Sequence, residues 1–200
     1  WELGGLETGA DRSIDDVPFA EITRLLCAAY GRGAVNTVSW HPQNPESGAS
    51  AWDGKTSTAV SSILPGGANH AQFRLWLDRL AGFFVGLKSA DGTCVPVLFR
   101  PFHEHTGSGF WWGEAQCTPD EYKALWRFTV EYLRDVKGVH NLLYVYSPDL
   151  YRDAEHYTER YPGDEWVDVL GLDAYHRPQD WDFLSGGERM LSTLQRLGHE

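Results

Sequence analysis

The 200-residue sequence holds little sulfur: three cysteines, Cys27, Cys94 and Cys117, and a single methionine. The cysteines form neither a C-x-x-C pair nor a zinc-module spacing. Buried free thiols, or one disulfide with an odd cysteine left over, remain open. Positive charge is also scarce, with 17 Lys and Arg against 28 Asp and Glu, a net charge of −11 and a pI near 5.1. The basic residues are scattered singly. A protein that neutralises phosphates needs a basic face, so no nucleic-acid partner is expected. No run of about 18 apolar residues occurs, and no membrane span is expected. The first residues, WELGGLETGADR, lack a basic and then apolar leader. A processed chain and an internal piece of a longer protein would both begin this way. Finally, no strand-like run is followed by G-x-G-x-x-G or G-x-x-x-x-G-K-S/T, which leaves a nucleotide fold without support.

Aromatic residues, by contrast, are plentiful: nine Trp, nine Tyr and nine Phe make up 14% of the chain. Part of this must be core. The remainder points weakly to carbohydrate, because a flat ring packs against the apolar face of a pyranose.

Helical and strand-like patterns alternate along the chain, with no repeat, low-complexity tract or linker, and one domain over residues 1–200 is expected. The pattern predicts helices over 17–30, 70–88, 118–137, about 152–160 and about 186–197, and strands over 34–40, 95–100, 141–146 and 167–173, with a further strand over 1–5. The helix after residue 117 opens on a capping box, Thr118-Pro119-Asp120-Glu121. VPVLF, NLLYVY and VDVLGL are continuous apolar runs of the kind found in parallel strands buried on both faces. Alternating strands and helices imply a parallel sheet, either a closed barrel or an open doubly wound one.

In a barrel, functional residues gather where strands end. The predicted strands end in Trp40-His41-Pro42, in Arg100-Pro101-Phe102-His103-Glu104-His105, in Ser147-Pro148-Asp149 and in Asp173-Ala174-Tyr175-His176. Glu104 is the strongest catalytic candidate. Flanked by Phe102, His103 and the rings of Phe110, Trp111 and Trp112, its carboxyl can be partly desolvated, which keeps its proton near neutral pH and suits it to protonate a glycosidic oxygen. The competing reading is a structural ion pair with Arg100. A metal site built on His103 and His105 is the weaker alternative. HEHTG is not H-E-x-x-H, and further ligands would have to come from His41, Asp173 or His176.

These segments resemble glycoside hydrolase family 26, whose best-known members are endo-β-1,4-mannanases. RPFHEHTGSGFWWG at 100–113 is similar to the family's acid/base signature, and SWHPQNP at 39–45, LLYVYSPD at 142–149 and DVLGLDAY at 168–175 follow its pattern in order. The likeness implies an α/β fold, a (β/α)₈ TIM barrel, present here as a partial barrel covering roughly strands 2 to 6. A full barrel takes about 250 residues. It implies a retaining mechanism with Glu104 as acid/base. It makes His103 a sugar contact at the cleavage subsite, His41 a contact on the glycone side and Tyr175 a partner of the nucleophile. Trp52 becomes a stacking ring, while Trp111 and Trp112 either touch sugar or shape the loop. Arg100 joins the expected substrate-binding set.

The sequence departs from the family at two points. Gly109 stands where members usually carry a tryptophan, which predicts a weaker or wider subsite. The family's nucleophile, a glutamate ending the seventh strand, has no counterpart, and Glu200 is a poor substitute. The 200 residues are therefore expected to be part of a longer chain, and on their own neither to close a barrel nor to catalyse. The resemblance further implies a β-mannan-type polysaccharide or manno-oligosaccharides as substrate, no cofactor and a monomer; because such a polymer cannot enter a cell whole, a secreted, periplasmic or cell-surface location is expected. Activity on β-1,3-xylan or mixed-linkage β-glucan, and a non-catalytic carbohydrate binder, are the alternatives.

Overall fold

The computed structural model describes residues 1–176 and 183–198. Its centre is a parallel sheet of four strands in sequence order: β1 (Asn36–Trp40), β2 (Val97–Pro101), β3 (Leu142–Tyr146) and β4 (Val169–Leu170). The register places Val38 opposite Phe99, Phe99 opposite Tyr144, and Tyr146 opposite Leu170. The N-terminal segment extends the sheet on the far side of β1. The Leu3 amide donates to the Ser39 carbonyl at 3.0 Å, and the Ser39 amide donates to the Trp1 carbonyl at 2.7 Å. The pairing is a single parallel bridge, Glu2 to Ser39, and residues 4–5 already turn away, so the strand expected over 1–5 is cut short.

Helices fill the connections: α1 (Phe19–Tyr30), a short α2 (Ala59–Ile63), α3 (His70–Gly86), α4 (Pro119–Glu131), α5 (Ala154–Thr158) and α6 (Phe183–Leu197). Side chains alternate across the sheet. On one face Val38, Trp40, Val97, Phe99, Tyr144 and Tyr146 are buried under the helices. Trp40 stacks on Phe73 of α3 at 6.5 Å, and Phe99 meets Phe84 of the same helix edge-on at 5.1 Å. On the other face Thr37 and Leu143 are exposed and Ser39, Leu98 and Arg100 are partly so. A barrel's inner face is filled by side chains from all its strands, and here that face is open. The architecture is an arc of a (β/α)₈ barrel.

The α4 capping box forms as expected. Thr118 Oγ1 accepts from the Glu121 amide at 3.3 Å, and the Glu121 carboxylate accepts from the Thr118 amide at 2.8 Å. This helix does not run to residue 137 as an α-helix. Its end widens into a π turn, Tyr132–Val136, with Lys137 donating to the Tyr132 carbonyl five residues back at 2.9 Å. The strand expected over 167–173 is a ladder only at Val169–Leu170. Its backbone nevertheless keeps donating to β3 and beyond, from Asp168 to Tyr144, Gly171 to Tyr146 and Asp173 to Pro148, each at 2.8–2.9 Å. All three cysteines are free. Only Cys117 is buried; Cys94 is exposed and Cys27 partly so, so no disulfide forms and the buried-thiol reading holds for one of them.

Candidate active site

The end of β2 carries unusual backbone geometry. Phe102 and Glu104 both adopt positive φ, 46° and 53°. For a bulky L-residue this left-handed region is sterically costly, about 1–3 kcal/mol each. The surroundings hold it in place. Tyr122 of α4 donates its hydroxyl to the Phe102 carbonyl at 2.8 Å. The Trp112 indole donates to the His103 carbonyl at 2.8 Å, and the Glu104 amide donates to the Ser147 carbonyl at the end of β3, also at 2.8 Å. The Phe102 ring is buried against Trp40, Trp111 and Trp112. Strain in a functional loop is thus offset by hydrogen bonds and packing around it, and the result fixes where Glu104 projects.

Glu104 is partly buried, and its carboxyl is raised from the ordinary glutamate range. Burial is the main cause, followed by the carboxylates of Asp173 and Asp149; Arg100 and His41 oppose them. The neighbouring acids are engaged elsewhere. Asp173 accepts from Arg100 at 2.5 Å and from the Ser147 hydroxyl at 2.9 Å. Asp149 accepts from the Thr106 hydroxyl. Both carboxyls are themselves raised by burial. The structural pair Arg100–Glu104 does not form: Arg100 turns to Asp173, which leaves Glu104 without an ion-pair partner among the described residues and Arg100 already committed.

Several of the other expected residues come together around one ring cluster. His41 meets His103 edge-on at 4.5 Å and stacks on Trp52 at 5.2 Å with planes 16° apart. Phe110 lies against Trp52, His41 and His103 at 5.3–5.5 Å and stacks on Trp112 at 4.5 Å. Trp52 itself is 55% exposed, a platform with one open face. Tyr175, 66% exposed, stands two residues beyond Asp173, at the end of the β4 segment. Trp111 and Trp112 are fully buried. Their indoles donate to the carbonyls of Pro42 and His103, so both rings pack the loop in this structure. His103 is almost fully buried, and burial lowers its pKa to about 2, which keeps the imidazole neutral.

His103 and His105 do not converge. His105 is wholly buried between Tyr122 and Tyr146, at 4.4 and 4.7 Å, and burial holds its pKa well below the ordinary value. Among the described residues no three His, Cys, Asp or Glu side chains cluster as a metal site would require. A cavity of about 770 Å³ lies between residues 150–154 and α6, and Glu104 is not among its lining residues. Glu104 belongs instead to the open rim of the sheet. Glu200 lies outside the described residues.

Sequence reasoning missed Glu2. It lies in the segment paired with β1 and bonds His41 Nδ1 at 2.6 Å. No local motif marks it, because its partner stands 39 positions away.

Comparison with known proteins places this arrangement. Residues 14–186 match the model of glycosyl hydrolase family 26. The chain is 44% identical over 170 residues to a mannan endo-1,4-β-mannosidase of Bifidobacterium adolescentis, an alignment covering 84% of this chain and 16% of that protein. A GH26 β-mannanase structure from Bacteroides ovatus superposes with a TM-score of 0.96 at 43% identity, covering 99% of this chain and 57% of the other. A modular endo-β-1,4-mannanase from Cellulomonas fimi gives 0.88 at 37% identity, covering 99% and 46%. The chain therefore spans little more than half of the first of these structures and a far smaller share of the Bifidobacterium protein. Strand order, strand-end residues and these likenesses agree: the chain belongs to glycosyl hydrolase family 26.

Proposed function

We propose that this chain is the acid/base-bearing part of the catalytic domain of a retaining endo-β-1,4-mannanase, with Glu104 as the acid/base. One observation carries the reading. Glu104 projects from a strained left-handed turn at a strand end, partly desolvated and without an ion-pair partner among the described residues, and it directly follows His103, whose ring meets His41 and through it the exposed Trp52. A carboxyl that must give up a proton and later take one back needs this environment. In the first step Glu104 protonates the glycosidic oxygen as the bond to the anomeric carbon breaks and a second carboxylate attacks that carbon. In the second step Glu104 takes a proton from water, and the water displaces that carboxylate. Asp149 and Asp173 are bound to Thr106, Arg100 and Ser147, so neither is offered as the nucleophile. We assign that role to a residue outside those described. Tyr175, at the end of the β4 segment, is proposed to hydrogen-bond it. His103, His41 and Trp52 bind the sugar, and the enzyme acts as a monomer outside the cytoplasm, where β-mannan is met.

The test is hydrolysis by the full-length protein of β-mannan, β-1,3-xylan and mixed-linkage β-glucan, side by side. Release of reducing ends from mannan supports the proposal. Release from one of the other polymers alone would reassign the substrate, and intact binding with silence on all three would favour a carbohydrate binder.

Two predictions concern the cleft rim. Trp52→Ala should raise KM for mannan several-fold with kcat nearly unchanged, since an exposed platform contributes binding common to ground and transition states. A fall in kcat at constant KM would contradict it. Gly109 lies outside the left-handed region, and a Cβ there would meet nothing within 4 Å. The backbone does not require glycine at this position. Gly109→Trp should therefore fold normally and lower KM or raise kcat by adding a ring to the subsite; unchanged kinetics would remove the idea that this glycine weakens it.

A further inference from the structure

Glu2 is a buried acid that the proposed reaction leaves unexplained. It is 7% exposed and receives four hydrogen bonds. Oε1 accepts from the amides of Gly4 at 2.5 Å and His41 at 2.8 Å; Oε2 accepts from the Ser39 hydroxyl at 2.7 Å and from His41 Nδ1 at 2.6 Å. Burial by itself would raise its carboxyl, but the hydrogen bonds from His41 and from the Ser39 hydroxyl reverse the effect, and it is held below the ordinary glutamate range. An ionised carboxylate only accepts. The nitrogen 2.6 Å away must then be the one that carries hydrogen. That assigns the proton to Nδ1 and leaves Nε2 as the other face of the imidazole. Nε2 makes no hydrogen bond among the described residues.

The ring so fixed is the hub of the cluster, stacked on exposed Trp52 and edge-on to His103, the residue before Glu104. A carboxylate is not needed to tie the N-terminal segment to β1, since backbone bonds from Leu3 and Ser39 already do so. A glutamine in its place could still accept from the two amides. Its own amide group, however, would face Nδ1 as a donor and draw the ring proton to Nε2.

We propose that Glu2 is a positioning residue: its carboxylate keeps the His41 proton on Nδ1 and the ring against Trp52, leaving Nε2 free to hydrogen-bond a hydroxyl of the bound sugar on the glycone side. The identity of the sugar rests on the mannanase reading; the position of the proton rests on the contacts of Glu2 and on its ionised state. Two measurements on the full-length protein separate them. The first is the ¹⁵N NMR signature of the His41 imidazole in the parent and in Glu2→Gln. Protonated Nδ1 in the parent, moving to Nε2 in the variant, is expected. A parent ring carrying its proton on Nε2 alone would overturn the proposal, even if the variant failed to fold. The second is a double-mutant cycle on manno-oligosaccharides with Glu2→Gln and His41→Ala. Glu2→Gln alone should cost roughly tenfold in kcat/KM, the low end of the loss seen when the partner that orients a metal-ligating histidine is removed, carried mainly by KM. Added to His41→Ala it should cost nothing further. An equal extra loss in the absence of His41 would mean that Glu2 acts only on the scaffold and would sink the proposal. A parent inactive on every mannan would remove the mannanase reading, and the NMR result would still decide the role of Glu2.

Discussion

Replacing Glu104 with glutamine is expected to lower kcat on β-mannan by about 10²–10⁴-fold, the range supplied by a positioned general acid and base. KM should change far less, because the amide fills the same space and the ring cluster around it stays intact. The parent should lose activity on the alkaline side as Glu104 gives up its proton, at a pH above the ordinary glutamate value, because burial and the carboxylates of Asp173 and Asp149 raise it. The residual activity of the variant should lack that limb. Stability should move the opposite way. A carboxyl whose folded pKa is raised contributes stability below its unfolded pKa and loses it as pH rises through the folded value. Glu104→Gln should therefore melt higher than the parent near neutral pH, with the gap closing on acidification. A variant less stable than the parent at pH 7, with its limb retained, would place the carboxyl outside the role given to it.

Trp112→Ala should be the most damaging core substitution near the site, costing about 3–5 kcal/mol as a large buried aromatic is removed. The effect on activity should go beyond stability. Trp112 stacks on Phe110 at 4.5 Å, packs on Phe102 and donates to the His103 carbonyl within the strained turn that aims Glu104. Without it, the turn loses one of the three tryptophans packed on Phe102 and the hydrogen bond at the His103 carbonyl. Trp112→Phe separates the two contributions: it keeps most of the packing and loses the hydrogen bond, worth about 1 kcal/mol. Urea unfolding and kcat measured together check both variants. A Trp112→Ala protein with unchanged midpoint and turnover would contradict the assignment of this ring to the scaffold of the turn.

Much of this was legible in the sequence, and the pattern of what was not is physical. Apolar runs such as VPVLF and NLLYVY reveal buried parallel strands because burial on both faces removes alternation. Thr118 and Glu121 announce a helix start because capping is a local interaction. The strand-end rule then located Glu104. Features that depend on distant partners stayed hidden. The 167–173 run is as apolar as the other strands, yet only Val169 and Leu170 form a ladder, since that depends on what lies beside it. The π turn at Tyr132–Val136 has no marker in its composition. Arg100 sits close to Glu104 in sequence and pairs instead with Asp173. Trp111 and Trp112 read equally as sugar contacts or packing, and their complete burial depends on rings far away in sequence, such as Trp40 across Phe102. The left-handed conformation of two residues that are not glycine opposes local preference.

The most direct test of the acid/base assignment varies the leaving group. The full-length parent and Glu104→Gln are compared on β-mannan and on an aryl β-manno-oligoside whose phenol departs without protonation, with and without azide. The account predicts that the variant is almost silent on mannan, still releases the phenol in a first rapid turnover, and is restored by azide, which needs no general base, to give a β-glycosyl azide. A variant impaired equally on both substrates and unmoved by azide, or one as active on mannan as the parent, would contradict it.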